Sequence, residues 1–257
     1  MRRNAYQSAY FERGVQTGKS LYTDYRWIPE LTVPMAMVMV DYLGIKRGQK
    51  VLDIGCAKGY MVKALRWLGR DAWGCDISDY ALEKADPEIR SFLSKHLPNQ
   101  EFHFAVSKDT FEHIPLPAIR KLLTKLKSRV LFIIIPLGDG IWYNVPAYEL
   151  DTTHIHRQPL IWWNQLLKTN GWSIRSSVLR IPGIKDNWAS EDLGNGFIVA
   201  EKILFLFCSH LDRGGFFPRG GLADLRPNLD LGDLVGKVGH PCEVAGLDGV
   251  LALGQKP

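Results

Sequence analysis

The ten residues Val51–Tyr60, VLDIGCAKGY, are the part of the chain best suited to chemistry. A β-branched apolar run carries an acid, Asp53. A Gly55-Cys56-Ala57-Lys58-Gly59 turn follows, and then a helical pattern, MVKALRWLG. The pattern predicts a strand, a tight turn and a helix N-terminus. Such a turn brings bare backbone N–H groups close to a ligand, and the helix dipole adds partial positive charge there. A second acid, Asp76, closes the next apolar stretch, DAWGCDIS. It lies about 20 residues further on, where a βαβ nucleotide binder places the carboxylate that grips a ribose.

The loop argues against two familiar ligand modes. It lacks the Gly-Lys-Ser/Thr ending of a phosphate-binding P-loop, and Ala57 stands where a dinucleotide fingerprint has glycine. Asp53, at the end of the first strand, would repel a pyrophosphate. A carboxylate there favours a ligand with a cationic amino group, and S-adenosylmethionine carries both an ammonium and a sulfonium.

Histidines supply the other reactive groups. Glu112 and His113 follow the fourth predicted strand. His113 could act as a base near an acceptor, or it could pack beside the cofactor while Glu112 orients the loop. His154 and His156 lie in DTTHIHR, on a loop over the expected ligand face. A histidine near neutral pKa suits deprotonation of a hydroxyl, and His154 is the candidate base. The alternative is a hydrogen bond that holds the loop. A His-x-His pair can also bind metal, but the sequence shows no third ligand beside it, so no metal site is read.

These residues need a scaffold. The patterning predicts a helix over 33–46, a strand over 50–54 and a helix over 58–69. A strand over 71–76, a helix over 78–86 and a short strand near 88–94 follow. Then come a strand over 101–107, a helix over 115–127 and a strand over 129–136. The last of these, RVLFIIIP, is a continuous β-branched run, which implies burial on both faces. A helix over 159–170 starts at a proline and stops at Gly171, and strands over 172–181 and 196–203 close the pattern. The alternation predicts an α/β, doubly wound, mostly parallel sheet with ligand at the carboxyl ends of its strands. Residues 1–32 are polar and aromatic, and read as short helices and loops. After Cys208 the chain turns Gly-rich and loses helical period, as in a loosely ordered tail or a few edge strands.

Composition narrows the setting. The chain has 257 residues, 46% hydrophobic and 23% charged, as a globular protein does. A net charge of +5 and a pI near 9.0 permit a nucleic-acid partner without arguing for one. The one basic run, RKLLTKLKSR at 120–129, reads as the wet face of an amphipathic helix. The four cysteines, Cys56, Cys75, Cys208 and Cys242, show no CxxC and no metal spacing. Reduced, buried thiols fit a cytoplasmic protein. No signal peptide is read, and the apolar runs 33–43 and 130–137 fall short of the roughly 20 residues that span a bilayer.

The run VLDIGCAKGY, then GCDIS, then VSKDTFEHI, then THIHRQPLIWWNQLLKTNGW resembles the class I S-adenosylmethionine-dependent methyltransferases. It is most similar to the small-molecule type with an Asp-x-x-Glu-His segment after strand four, here Asp109 to His113. The resemblance covers about residues 10–203. It implies a Rossmann-like, seven-stranded sheet with an N-terminal helical lid over 1–46, a cofactor domain over 47–208 and a Gly-rich tail over 209–257. It also implies residue roles. Asp53 would hold the methionine ammonium, and Gly55, Cys56, Ala57 and Gly59 would let the backbone approach the methionine moiety. Asp76 would take both ribose hydroxyls, and Ile77 would lie against the adenine. Ser107, Lys108 and Asp109 would line the floor beneath the sulfonium. Tyr22, Tyr25, Arg26 and Trp27 are lid candidates, the alternative being a helix simply packed on the sheet edge.

One feature departs from that family. Its members usually carry a Gly-Asp pair after strand three, the acid contacting the adenine amine. Here the stretch is SFLSKHLPNQ, with no acid between Glu88 and Glu101, which leaves backbone groups and Asn99 or Gln100 for that task. No Asn/Asp-Pro-Pro-Tyr/Phe motif follows strand four, so amino-group methylation of adenine or glutamine is not indicated. Pro241-Cys242 lies outside the context a cytosine-methylase nucleophile needs. The reading is therefore methyl transfer to an oxygen, nitrogen or carbon nucleophile of a small molecule, with the oligomeric state open. A nucleic-acid (RNA) methyltransferase and a non-catalytic S-adenosylmethionine-binding protein of the same fold are the alternatives.

Overall fold

The computed structural model describes residues 5–186 and 193–203. The expected tail over 209–257, which contains Cys242, and Cys208 before it lie outside the described residues.

Two short N-terminal helices, α1 (Ser8–Phe11) and α2 (Gly14–Thr17), precede a longer one, α3 (Pro29–Leu43). Helix α3 begins four residues before the expected start. Pro29 sits in its first turn, where a missing N–H costs nothing, and the helix runs on through Pro34. It stops where Gly44 takes the left-handed conformation. Strand β1 (Lys50–Ile54), helix α4 (Tyr60–Trp67), strand β2 (Asp71–Cys75) and helix α5 (Asp79–Glu83) follow. Helix α5 is shorter than expected. Ser78 caps it by accepting from the Ala81 N–H at 3.0 Å, and its last carbonyls are closed by Lys84. Next come β3 (Leu93–Ser94), β4 (Phe102–Lys108), α6 (Leu116–Lys125), β5 (Ser128–Pro136), α7 (Leu160–Thr169), β6 (Trp172–Val178) and β7 (Asn195–Lys202).

The seven strands form one sheet in the order β3-β2-β1-β4-β5-β7-β6. The first five pair in parallel, while β7 runs antiparallel between β5 and β6. No helix lies between β6 and β7 among the described residues. A strand that returns without a crossover helix pairs antiparallel with its predecessor. This is the doubly wound sheet that the alternation predicts.

Packing follows the pattern of the strands. In β5 every residue but Arg129 is buried, as its unbroken β-branched run requires. One face of the sheet packs Leu52, Leu131, Ile133 and Ile198 against Ile119 and Leu123 of α6 and Trp163 of α7. The other packs Val51, Phe132, Ile134 and Phe197 against Met39 of α3 and Val62 and Leu65 of α4. Burial of this much apolar side chain, at about 25 cal/mol per Å², is the main source of stability. The strand order reverses between β1 and β4, so a crevice opens outside their carboxyl ends. No helix of the described residues is long and apolar enough to cross a membrane.

Candidate functional site

A cavity of about 760 Å³ lies at these carboxyl ends. Asp53, Gly55, Cys56, Ala57, Asp76, Ile77, Lys108 and Asp109 all line it, as do Glu112, His113 and His154. The glycine loop shapes one wall. Gly55 has φ +79° and Gly59 has φ +76°, left-handed values that favour glycine. Ala57 takes the same region at φ 48° and is held there by its N–H, which donates to Asp76 Oδ2 at 2.8 Å. Asp76 Oδ1 accepts from the Ser78 N–H, also at 2.8 Å. Asp76 therefore ties the glycine loop to the turn after β2, and a carboxylate keeps further lone pairs for a ligand. Gly55 has a steric role too. A β-carbon there would lie 2.8 Å from Thr110 Cβ and collide with the rest of that side chain. Gly55→Ala is expected to cost at least about 2 kcal/mol from the left-handed φ and the clash, lowering Tm by roughly 4–8 °C in a thermal melt.

Burial dominates the electrostatics. Asp53 is 6% exposed, and its pKa rises to about 7 through desolvation, with Asp76 adding repulsion and Lys108 opposing. Burial also raises Asp76. Asp109 behaves oppositely. Burial would lift it, but the ammoniums of Lys108 and Lys185 hold it well below the usual carboxylate range. Lys108 Nζ lies 2.6 Å from its Oδ2 and Lys185 Nζ 2.6 Å from its Oδ1. Lys185 Nζ donates in addition to the Tyr148 hydroxyl at 3.0 Å and to Asn195 Oδ1 at 2.8 Å. Asp109 itself has φ 51°, so the charged cluster and the backbone together fix the turn after β4.

The N-terminal segment lines another part of the cavity. Glu12 accepts from Lys58 Nζ at 2.7 Å and from the Tyr80 hydroxyl at 2.9 Å. Lys58 also reaches the Tyr25 carbonyl at 2.6 Å, and Ser78 donates to the Tyr6 carbonyl at 2.6 Å. Tyr10 and Phe11 are buried among Tyr6, Tyr22, Tyr25, Ala57 and Tyr80. Tyr10 donates to Asp151 Oδ2 at 2.7 Å, linking this segment to the histidine loop.

That loop is clamped by backbone bonds. The Ile155 N–H donates to the Glu112 carbonyl at 2.9 Å, and His156 Nε2 meets the Ile114 carbonyl at 2.8 Å. His154 is thereby turned into the cavity wall beside Glu112 and His113, and burial depresses its pKa. Burial, then repulsion from His154, takes His113 down to about 4. Both rings are neutral at pH 7.

A model of the family described as "methyltransferase domain" matches residues 35–177, more than half of the chain. The chain belongs to this methyltransferase family. Among curated relatives, an uncharacterised protein of Methanocaldococcus jannaschii is 26% identical over 177 residues, 63% of this chain and 47% of that protein. A ubiquinone biosynthesis O-methyltransferase of Paraburkholderia phymatum is 30% identical over 99 residues, 33% of this chain and 42% of that protein. The chain thus spans less than half the length of the curated relatives it matches. Among solved structures, an S-adenosylmethionine-dependent methyltransferase from Clostridium acetobutylicum superposes with a TM-score of 0.50 at 13% identity. The match covers 68% of this chain and 92% of that one. A chain of the complex that the Haloferax volcanii Trm112 methyltransferase activator forms with a methyltransferase gives 0.53 at 15% identity, with the same coverage. These likenesses confirm the seven-stranded methyltransferase fold.

Against this fold, most expected site residues of the methyltransferase line the cavity, and several do not. Ser107 is turned away: its hydroxyl donates to the Ile54 carbonyl at 2.9 Å, between β4 and β1. Successive strand residues point to opposite faces, so only one of Ser107 and Lys108 can face the ligand. Gly59 stands behind the loop as the N-cap of α4, where a β-carbon would meet Ile89 and Leu93. Tyr22, Tyr25 and Arg26 line the cavity, but Trp27 packs outside it against Tyr60 and Trp67. Gln100 accepts from Lys50 Nζ at 3.2 Å and does not reach the wall, where Lys95 and Leu97 stand instead. Sequence reading missed Tyr6, Tyr10, Tyr148, Asp151 and Lys185. An isolated Lys or Tyr in a loop carries no local signal of the distant partners it will meet.

Proposed function

We propose that this methyltransferase moves the methyl group of S-adenosylmethionine to a nucleophile of a small molecule held in the same cavity. One observation carries the reading. Two carboxylates, Asp53 and Asp76, from the ends of adjacent parallel strands line the same cavity as a Glu-His-His group. In this reading Asp53 meets the methionine ammonium, Asp76 takes the ribose hydroxyls, and Gly55, Cys56 and Ala57 pass the backbone close to the methionine. Ile77 and Leu97 cover the adenine, and the backbone near Lys95 meets its amine. Lys108 and Asp109 form the floor beneath the sulfonium.

The reaction is an in-line displacement in which positioning and exclusion of water contribute most. The acceptor's oxygen, nitrogen or carbon forms a bond to the methyl carbon as the sulfonium C–S bond breaks. The histidine pair activates the acceptor, with His154 foremost and His113 beside it. A neutral imidazole can take a proton or hold a metal ion. The cavity volume suits a cofactor and a small acceptor. Similarity to proteins named as ubiquinone biosynthesis O-methyltransferases supports an oxygen acceptor. The N-terminal 46 residues act as the lid on the cofactor domain. The free thiols Cys56 and Cys75, both buried, support a reducing, cytoplasmic setting.

Calorimetric titration with S-adenosylmethionine tests this reading, and the pH dependence makes the test specific. With the Asp53 pKa at about 7, the empty protein holds a proton there at pH 6. The ligand's ammonium favours the carboxylate, so binding tightens as pH rises from 5.5 to 7.5, and protons are released on binding at the acid end. Because this pKa is raised above its unfolded value, Asp53 contributes stability at about pH 4 that is lost as pH climbs to about 7. Asp53→Asn should abolish the pH dependence of binding and remove this one contribution to stability. Affinity independent of pH over this range in the wild-type protein would refute the role of Asp53.

A further inference from the structure

Glu112 is completely buried, and neither of its carboxylate oxygens has a hydrogen-bond partner among the described residues. Its Oε1 faces His113 Nε2 at 3.8 Å and His154 Nε2 at 3.9 Å. These separations are too long for direct hydrogen bonds. They suit two donors that share one ion, since ligand atoms sit about 2.0–2.2 Å from a zinc-like metal. Donor atoms of all three side chains fall within 4.8 Å of one another.

The surrounding bonds decide where the ring protons are. His154 Nδ1 lies 2.8 Å from the Tyr148 carbonyl, which can only accept, so the proton sits on Nδ1. His113 Nδ1 lies 2.8 Å from the Thr153 hydroxyl. That hydroxyl gives its one proton to Asp151 Oδ1 at 2.6 Å, so it accepts from His113. Both rings therefore turn an Nε2 lone pair toward the carboxylate. Metal-binding histidines are oriented by their other nitrogen in this way. Asp151 Oδ2 also stands 4.0 Å from His154 Nε2, but it is engaged by the Tyr10 hydroxyl. Three groups that can ligate an ion thus converge, and because burial raises the Glu112 carboxyl, a bound ion would displace a proton from it.

We propose that Glu112, His113 and His154 bind one divalent ion of the zinc class and leave a coordination position open to the cavity. Two imidazole nitrogens and one carboxylate select such an ion over Mg²⁺ or Ca²⁺, which prefer oxygen donors. Three protein ligands with an open position are the pattern of a catalytic site. Resting on the methyl-transfer reading, the open position takes a hydroxyl oxygen of the acceptor and narrows the nucleophile to oxygen. The bound hydroxyl loses its proton to solvent. Its lone pair then forms the C–O bond to the methyl carbon, and the C–S pair returns to sulfur to give S-adenosylhomocysteine.

The test is a Zn²⁺ titration of metal-stripped protein against a competing chelator, with S-adenosylmethionine binding measured in parallel. One ion per chain is expected, with a rise in Tm that Mg²⁺ does not give. Glu112→Gln and His154→Gln should each weaken Zn²⁺ binding about a hundredfold, while His156→Gln leaves it unchanged. If Glu112→Gln fails to fold, His113→Gln replaces it. Absence of Zn²⁺ binding, equal binding by these variants, or an equal response to Mg²⁺ would overturn the proposal. Zn²⁺ bound without S-adenosylmethionine would refute the methyl-transfer reading alone, and the converse would refute the ion alone.

Discussion

Asp76→Ala is expected to weaken S-adenosylmethionine binding at least a hundredfold. The Asp76 carboxylate stands at the end of β2 on the cavity wall, where the proposed ribose lies. Each hydrogen bond to a charged group contributes about 1.5–3 kcal/mol, and the ribose offers two hydroxyls. The substitution removes more than ligand contacts. It also frees the Ala57 and Ser78 N–H groups that Asp76 accepts at 2.8 Å. The empty variant should therefore melt a few degrees lower, because Ala57 loses the bond that holds its left-handed turn. Calorimetry and a thermal melt on the same preparation separate the two effects. An affinity within a factor of three of wild type would remove Asp76 from the ribose.

Turnover should fall about 10²–10⁴-fold in His154→Ala, with S-adenosylmethionine affinity intact. The side chain lines the cavity, held through Nδ1 by the Tyr148 carbonyl, on a loop pinned to Glu112 by the Ile155 N–H. The loss is expected whether the ring takes the acceptor's proton itself or holds an ion that lets the hydroxyl lose it to solvent. Steady-state rates with a turned-over acceptor and parallel cofactor titrations make the comparison. His156→Ala is the contrast: its ring bonds the Ile114 carbonyl and packs against Trp162 and Trp163, so it should cost stability more than rate. A rate loss equal in both variants would mean that His154 only anchors its loop.

The elements of the sheet could be read from the chain because each carries a local pattern. VLDI, RVLFIII and FIVAEK are apolar and β-branched runs bounded by turns, and all three became strands within a residue or two of expectation. The Asp53–glycine loop–Asp76 unit was equally legible, because strand, turn and strand are contiguous and their spacing fixes where the acids fall. Helix ends were less so. Helix α3 starts at Pro29 because a proline is free at a first turn, and α4 starts at Tyr60 because Gly59 takes the left-handed cap.

The Asp53–glycine loop–Asp76 wall of the cavity and the fold class were thus determined by the sequence alone, since both follow from short-range periodicity and the charge of residues adjacent in the chain. The tertiary structure decided the rest. It turned Ser107 into the sheet and Lys108 into the cavity, brought Lys185 onto Asp109, and brought Tyr6 and Tyr10 to the cavity wall. It also placed His154 beside Glu112, although no local spacing connects them. Such meetings depend on how loops from separate strand ends converge on one sheet edge. That convergence is set by global packing and by backbone bonds between loops, for which neighbouring residues carry no signal.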